Sequence, residues 1–382
     1  MDMDKRSFTV AGHSFLAAGR AYSPGGPPLV IAEIGTAHGG DIARAKELID
    51  AASESGADCA KFQIVHAAEI LHPATGFVSL PGGPVRLYDR FRELEVSIDF
   101  FAECSRHAAD RGLLFLCTPF GLESAAELKS LSPAVAKVAS PELNHLPLLA
   151  ELARWGVPLI LSSGVSRLAD IERALELTEA APERLLLHCV TSYPAPEEEY
   201  NLAVLATLSA CFGVPVGVSD HSLDPVLVPA LSLAFGSVAV EKHITLSRSG
   251  DGLDDPVALT PALFAEMTRE LRSLAGKGRD AIVAKMEARY GKERVARTIG
   301  DGRKEIAPSE RANYGRTNRS VHATRALRAG EIVGPADVAL LRTEKVLNPG
   351  LDPAFLGLVV GARLARDVAD GAGIVWDDLI QR

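Results

Sequence analysis

One unit recurs eight times between residues 29 and 274: a short apolar, β-branched run followed by a segment with apolar residues at helical spacing. The runs are Leu29 to Ile34, Cys59 to Gln63, Leu113 to Cys117, Val135 to Ala139, Pro158 to Ser162, Leu185 to Val190, Pro215 to Val218 and Val238 to Lys242. Asp41 to Glu54 shows the partner pattern, with Ile42, Ala45, Leu48, Ile49 and Ala52 on one helical face. Helical spacing returns at Ser97 to Arg111, Leu122 to Leu131, Leu146 to Trp155, Leu168 to Glu179, Leu202 to Phe212, Asp224 to Phe235 and Pro261 to Leu274. Eight βα units over roughly 250 residues predict an α/β chain folded as a (β/α)8 TIM barrel, with an open doubly wound sheet as the alternative.

The expected domains are residues 1–28, an N-terminal extension; 29–295, the barrel; 296–317, a linker; and 318–382, a small C-terminal domain. Phe8 to Leu16, with a turn at Ala11-Gly12, suits a hairpin capping the barrel bottom. The last 65 residues or so are short-strand material punctuated by glycines, near the size at which a lone core is marginal, so that domain is expected to lean on something larger. With 47% hydrophobic and 23% charged residues the chain is globular, which excludes disorder and collagen. The longest uncharged stretch, Tyr200 to Ser219, is broken by Asn201, Thr207, Ser209, Gly213, Pro215 and Gly217, so no membrane span is expected. Five cysteines without a CxxC pair and a start without an apolar run suggest a reduced, cytoplasmic protein. Forty basic against 49 acidic residues give 40 − 49 = −9, so nothing draws the chain to nucleic acid or an acidic membrane, and an anionic ligand must be held by local groups.

In such barrels the working residues lie where strands end. Here those positions are Glu33, Lys61, Gln63, Thr118, Lys137, Ser140, Glu142, Ser162, Tyr193, Ser219, Asp220, His221 and His243. Any single Lys or Glu among them is as readily half of an internal ion pair. Two lysines with several hydroxyls in one mouth suit the phosphate and carboxylate of a small phosphorylated acid. His221 and His243 close adjacent strands, within reach of one divalent ion, with Glu33, Asp220 and Asp254 nearby. Two imidazoles with oxygen donors and no Cys point to Mn, Mg, Co or Fe rather than a closed structural zinc. Nothing in their spacing selects His38, His145 or His188, and Cys117 and Cys189 read as packing residues. No dinucleotide fingerprint or Walker motif is present.

At these strand ends the sequence closely resembles the sialic acid synthase family, which condenses phosphoenolpyruvate with an N-acetylhexosamine to make nonulosonic acids. The matching blocks are Ile31-Ala32-Glu33-Ile34-Gly35, Lys61-Phe62-Gln63, Thr118-Pro119-Phe120, Lys137-Val138-Ala139-Ser140, Leu161-Ser162-Ser163-Gly164, Leu187-His188-Cys189, Tyr193-Pro194, Ser219-Asp220-His221 and Glu241-Lys242-His243. Arg319-Ser320-Val321, Leu327 to Ile332 and Pro349-Gly350-Leu351 look like the antifreeze-like (SAF, β-clip) domain that ends these synthases. The resemblance implies that Lys61, Thr118, Lys137, Ser140, Ser162 and Ser219 hold phosphoenolpyruvate, and that His221 and His243 bind the metal, Mn first and Mg or Co next. It implies that Glu33, Gln63, Tyr193 and Asp254 contact the amino sugar or its metal shell, and that Glu142 handles a water, with Glu33 and Lys61 beside it in catalysis. It also implies a domain-swapped homodimer in which Arg319 reaches the sugar's acetamido group. Three departures bear on which sugar is used: Ala37 where the family has Asn, Pro141 where it has Gly, and Thr191 where it has Asn or Ser. A metal-dependent pyruvate aldolase and a catalytically inactive barrel acting as a binding subunit are the competing readings.

Overall fold

A computed structural model describes residues 12–80, 83–250 and 252–380. The eight strands are β1 (Leu29–Gly35), β2 (Cys59–Ile64), β3 (Leu114–Pro119), β4 (Ala136–Val138), β5 (Leu159–Ser162), β6 (Arg184–Cys189), β7 (Val216–Asp220) and β8 (Ser237–His243). They form one parallel sheet in the order β3-β2-β1-β8-β7-β6-β5-β4. The last strand pairs with the first, through Ala239 to His243 against Leu29 to Glu33, and β3 lies side by side with β4 without a ladder. This is a nearly closed barrel ringed by helices rather than the open doubly wound sheet.

Successive side chains of a strand point to opposite faces. The outward set, including Val30, Ala32, Ala60, Phe62, Cys117, Leu161, Leu186, Val218 and Val240, packs under the helices. The inward set near the strand starts is a second apolar layer of Leu29, Ile31, Cys59, Leu116, Val135, Ile160, Leu185, Leu187 and Ala239. Phe15, Ala17 and Tyr22 complete that layer from a hairpin, Phe15–Ala17 against Arg20–Tyr22, which plugs the barrel floor. Its turn is Ala18-Gly19, with φ of 47° and 77°. The turn expected at Ala11-Gly12 falls partly outside the described residues, and the hairpin stands further along the chain.

Two features reach beyond the simple barrel. Between β2 and its helix, Ile98–Asp110, an insertion carries two short helices, Ala67–Ile70 and Leu87–Arg92, and a hairpin, Phe77–Leu80 with Gly83–Arg86. The small C-terminal domain has its own core of Val321, Leu327, Val333, Val359, Leu364 and Ile374 around an antiparallel pair, β9 (Arg319–Ala323) and β10 (Val338–Arg342). The insertion seats that domain on the barrel of the same chain: Leu71 bridges Arg342, and the Thr75 hydroxyl donates to the Thr343 carbonyl at 3.0 Å.

Candidate active site

Above the apolar floor, the inward positions turn polar within one residue pair on most strands. Glu33 follows Ile31, Lys61 follows Cys59, Thr118 follows Leu116, Lys137 follows Val135, Ser162 follows Ile160, and Glu241 follows Ala239. All of these but Thr118 line a cavity of about 300 Å³, at the small end for ligand sites. Of the residues expected at a site, Glu33, Lys61, Gln63, Lys137, Ser140, Ser162, Tyr193, Ser219, His221, His243 and Asp254 line it together.

Four charged groups at the cavity floor are bound to one another. Register sets Glu33 beside Lys61, and their side chains form an ion pair. Lys61 also lies 3.3 Å from Glu241, whose other oxygen is 3.9 Å from Lys137. Lys137 donates to the Ser162 hydroxyl at 2.7 Å, Ser219 donates to Glu241 at 3.0 Å, and Gln63 donates to Glu33 at 3.2 Å. Burial pulls the Lys61 ammonium down to about 8 against the opposing pull of Glu241, and the charge of Lys137 adds to the fall. Burial alone would raise Glu241, but Lys137 and Lys61 outweigh it and hold the carboxyl at about 2. A buried cation with carboxylates on one side keeps donor capacity for an incoming anion.

The two histidines occupy the same cavity with ring centroids 5.5 Å apart, and Tyr193 stacks on His221 at 4.2 Å. His221 donates Nδ1–H to the Val190 carbonyl at 2.9 Å, which leaves Nε2 without a protein partner among the described residues. His243 has Asp254 3.7 Å from its Nδ1, and burial pushes its proton affinity well below the usual imidazole range, with His221 adding to the effect. Two imidazoles oriented by a carbonyl and a carboxylate fit a divalent cation whose remaining positions are filled by water or substrate. Among the described residues no three His, Cys, Asp or Glu side chains are grouped so as to hold a metal ion.

Strand alternation separates these residues from their neighbours in sequence. Asp220 and Lys242 face outward and form a buried ion pair, with Lys242 also donating to the Ser222 carbonyl at 2.7 Å; Asp220, expected near the metal, does not line the cavity that holds the two histidines. His38 sits among Phe62, Phe100 and Phe101, His145 caps the helix Leu146–Ala153, and His188 donates to the Tyr200 carbonyl. Burial lowers these three to about 4, 3 and 3, as neutral structural imidazoles.

Besides Asp220, three expected site residues do not line the cavity. Thr118 is buried with its hydroxyl unpartnered. Glu142 is wholly buried and receives Arg319 at 2.9 Å and Arg342 at 2.8 Å. Arg319 spends its remaining donors on the carbonyls of Glu69, Phe120 and Leu340. Glu142 and Arg319 thus neutralise each other across the seam between barrel and small domain.

Sequence reasoning missed several wall residues. Glu241 was legible, since β8 alternation puts it on the face of His243. Cys189 was read as packing; it lines the cavity with Sγ 3.8 Å from His221 Nδ1. Asn313, Thr317, Arg342 and Lys345 arrive from the linker and small domain, and no local pattern marks them. Gly164 is required by close approach: a Cβ there would meet the Thr191 hydroxyl at 2.1 Å and Ser140 Oγ at 3.0 Å.

Comparison with known proteins gives the family. The NeuB family matches residues 48–280 and the SAF domain matches residues 318–380. The chain is 31% identical to the spore coat polysaccharide biosynthesis protein SpsE of Bacillus subtilis, over 96% of this chain and 97% of that one. It is 30% identical to the N,N'-diacetyllegionaminic acid synthase of Legionella pneumophila, over 92% and 94%. The crystal structure of the Bacillus subtilis SpsE superposes with a TM-score of 0.81 at 30% identity, covering 97% of this chain and 99% of that chain. An N-acetylneuraminic acid synthetase from Leptospira borgpetersenii, in complex with citrate, superposes with a TM-score of 0.64 at 27% identity, covering 79% and 95%. With both parts matched in order along a barrel whose charged and imidazole side chains meet in one cavity, the chain is a member of the NeuB family with a C-terminal SAF domain.

Proposed function

We propose that this enzyme condenses phosphoenolpyruvate with an N-acetylhexosamine-type aldose, giving a sialic-acid-like 2-keto-3-deoxy acid and phosphate. The observation that carries the reading is the meeting of Lys61, Lys137 and three serine hydroxyls with two imidazoles in one cavity of a NeuB-family barrel. Lys61 and Lys137, with Ser140, Ser162 and Ser219, hold the phosphate and carboxylate. Gln63, Tyr193 and Asp254 orient the sugar. A divalent cation at His221 and His243, manganese first and magnesium or cobalt next, supplies Lewis-acid polarisation of the sugar aldehyde when bound.

Carbon 3 of phosphoenolpyruvate forms the new bond to the aldehyde carbon. Water adds at carbon 2, and the carbon–oxygen bond to phosphate then breaks. The Glu33 carboxylate, paired with Lys61, takes the proton of the water. Glu142, held by two arginines, serves to seat the small domain rather than to activate water. Exchange of that domain between two copies would re-form the same contacts across a swapped homodimer, and we include this assembly in the proposal.

Purified protein with Mn should release phosphate from phosphoenolpyruvate only when an N-acetylhexosamine is added, and a panel of N-acetylmannosamine, its 6-phosphate and a dideoxy diacetamido hexose should identify the sugar. Release without sugar, or none with any sugar, would refute the reading. Turnover of pyruvate in place of phosphoenolpyruvate would establish the aldolase instead.

A further inference from the structure

A second groove runs between the linker, at residues 303–311, and the outer side of the barrel. It comprises two adjoining cavities of about 640 and 690 Å³ that share Lys304, Glu305, Ile306 and Arg311. Lys304 Nζ is buried and has no hydrogen-bond partner among the described residues. Arg311, exposed on the same groove, makes no ion pair among them, and Arg167 stacks on Tyr314 at 4.8 Å without a carboxylate. Of the acids near Lys304, Glu310 and Asp170 are already supplied with neutral donors, and Glu198, Glu199 and Asp301 line the second cavity. Glu310 accepts from the backbone of Val165 at 2.7 Å, Thr191 at 2.6 Å and Ala307 at 3.2 Å, and Asp170 accepts from Arg167 N at 2.8 Å and the Tyr314 hydroxyl at 3.3 Å. Glu305 lies 3.8 Å from Arg303.

On the other side of Lys304 the groove meets His188, which is 4% exposed. Its Nε2–H goes to the Tyr200 carbonyl, so Nδ1 is an acceptor, and it too is buried without a partner. Three cations lacking carboxylates call for an oxyanion, and an unfilled acceptor beside them calls for a hydroxyl.

We propose that this groove, separate from the catalytic cavity, binds a phosphorylated sugar or polyol, its phosphate on Lys304, Arg311 and Arg167 and a hydroxyl on His188 Nδ1. The cavity volumes exceed what a bare ion fills. Glu310 joins the linker wall of this groove to Thr191, which lines the catalytic cavity.

The test is calorimetric titration with glucose 6-phosphate, and separately with inorganic phosphate, in a Lys137→Met background that removes the lysine proposed for the catalytic phosphate. One equivalent of glucose 6-phosphate should bind, more tightly than inorganic phosphate. Adding Arg311→Ala or Lys304→Met should weaken it about tenfold or more, the scale of one charge-assisted hydrogen bond. Arg311 is exposed, so its substitution keeps the test valid if Lys304→Met fails to fold. No binding, or binding indifferent to both substitutions, overturns the site; equal affinity for inorganic phosphate overturns the sugar-phosphate assignment. Unchanged turnover of phosphoenolpyruvate in Lys137→Met would count against the catalytic reading alone.

Discussion

Lys61 is the residue whose chemistry is most exposed to test. Its ammonium, drawn down to about 8 from 10.5, loses its charge as pH rises through that value. Binding of an anion therefore weakens on the alkaline side, and kcat/KM for phosphoenolpyruvate should fall above about pH 8. The limb should shift upward in kcat, because bound substrate favours the charged lysine. Glu241 opposes the fall of Lys61, so Glu241→Gln should move the kcat/KM limb below pH 8; an unmoved limb would assign the titration to another group. Lys137→Met should raise the KM for phosphoenolpyruvate about tenfold or more while changing that of the sugar little, since a charged hydrogen bond at a buried site is worth about 1.5–3 kcal/mol. Equal losses for both substrates would contradict the assignment.

At the scale of elements, a two-residue period decides which of several adjacent charged side chains does chemistry. In Ser219-Asp220-His221 and Glu241-Lys242-His243 the outer residues of each triplet face the cavity, and the central ones pair with each other behind the strands. Lys242→Met should leave Asp220 as a buried, uncompensated charge and cost about 3–5 kcal/mol, read by denaturant unfolding. At temperatures where the variant stays folded, its KM values should be those of the unaltered protein. A specific rise in one KM would bring Lys242 into the site after all.

For the whole molecule, the decisive contact is the buried meeting of Glu142 with Arg319 and Arg342, which fixes the SAF domain over the barrel mouth and brings Arg342 and Lys345 to the cavity wall. Glu142→Gln should loosen that seat: amide exchange should rise across Val338–Arg342, and the KM for the sugar should climb more than that for phosphoenolpyruvate. Unchanged exchange with turnover reduced roughly 10²-fold would restore Glu142 to the role of a general base. Mixing Arg319→Ala and Glu142→Gln chains, each weakened in sugar binding by its loosened seat, under subunit exchange reports on assembly. A swapped dimer regains one intact barrel-and-lid pair and with it activity, whereas no recovery despite verified exchange leaves each lid on its own barrel.

The barrel and its charged mouth were determined by the sequence, because both are local periodicities: eight apolar runs set the strands, and polar residues at their ends set the ring of Glu33, Lys61, Lys137, Ser219, His221 and His243. Even the inward facing of Glu241 and the outward facing of Asp220 and Lys242 follow from alternation along one strand. The histidines were separable only in part, since His188 and His221 look alike until strand phase is known, and His38 is set apart by the phenylalanines packed around it. Tertiary structure alone decided what meets Glu142, because Arg319 and Arg342 lie 177 and 200 residues away along the chain. No short-range pattern encodes a contact between a loop after β4 and strands of a second domain. It arises where two separately formed cores are docked, and the physical reason is that buried charge must find a partner wherever the fold supplies one.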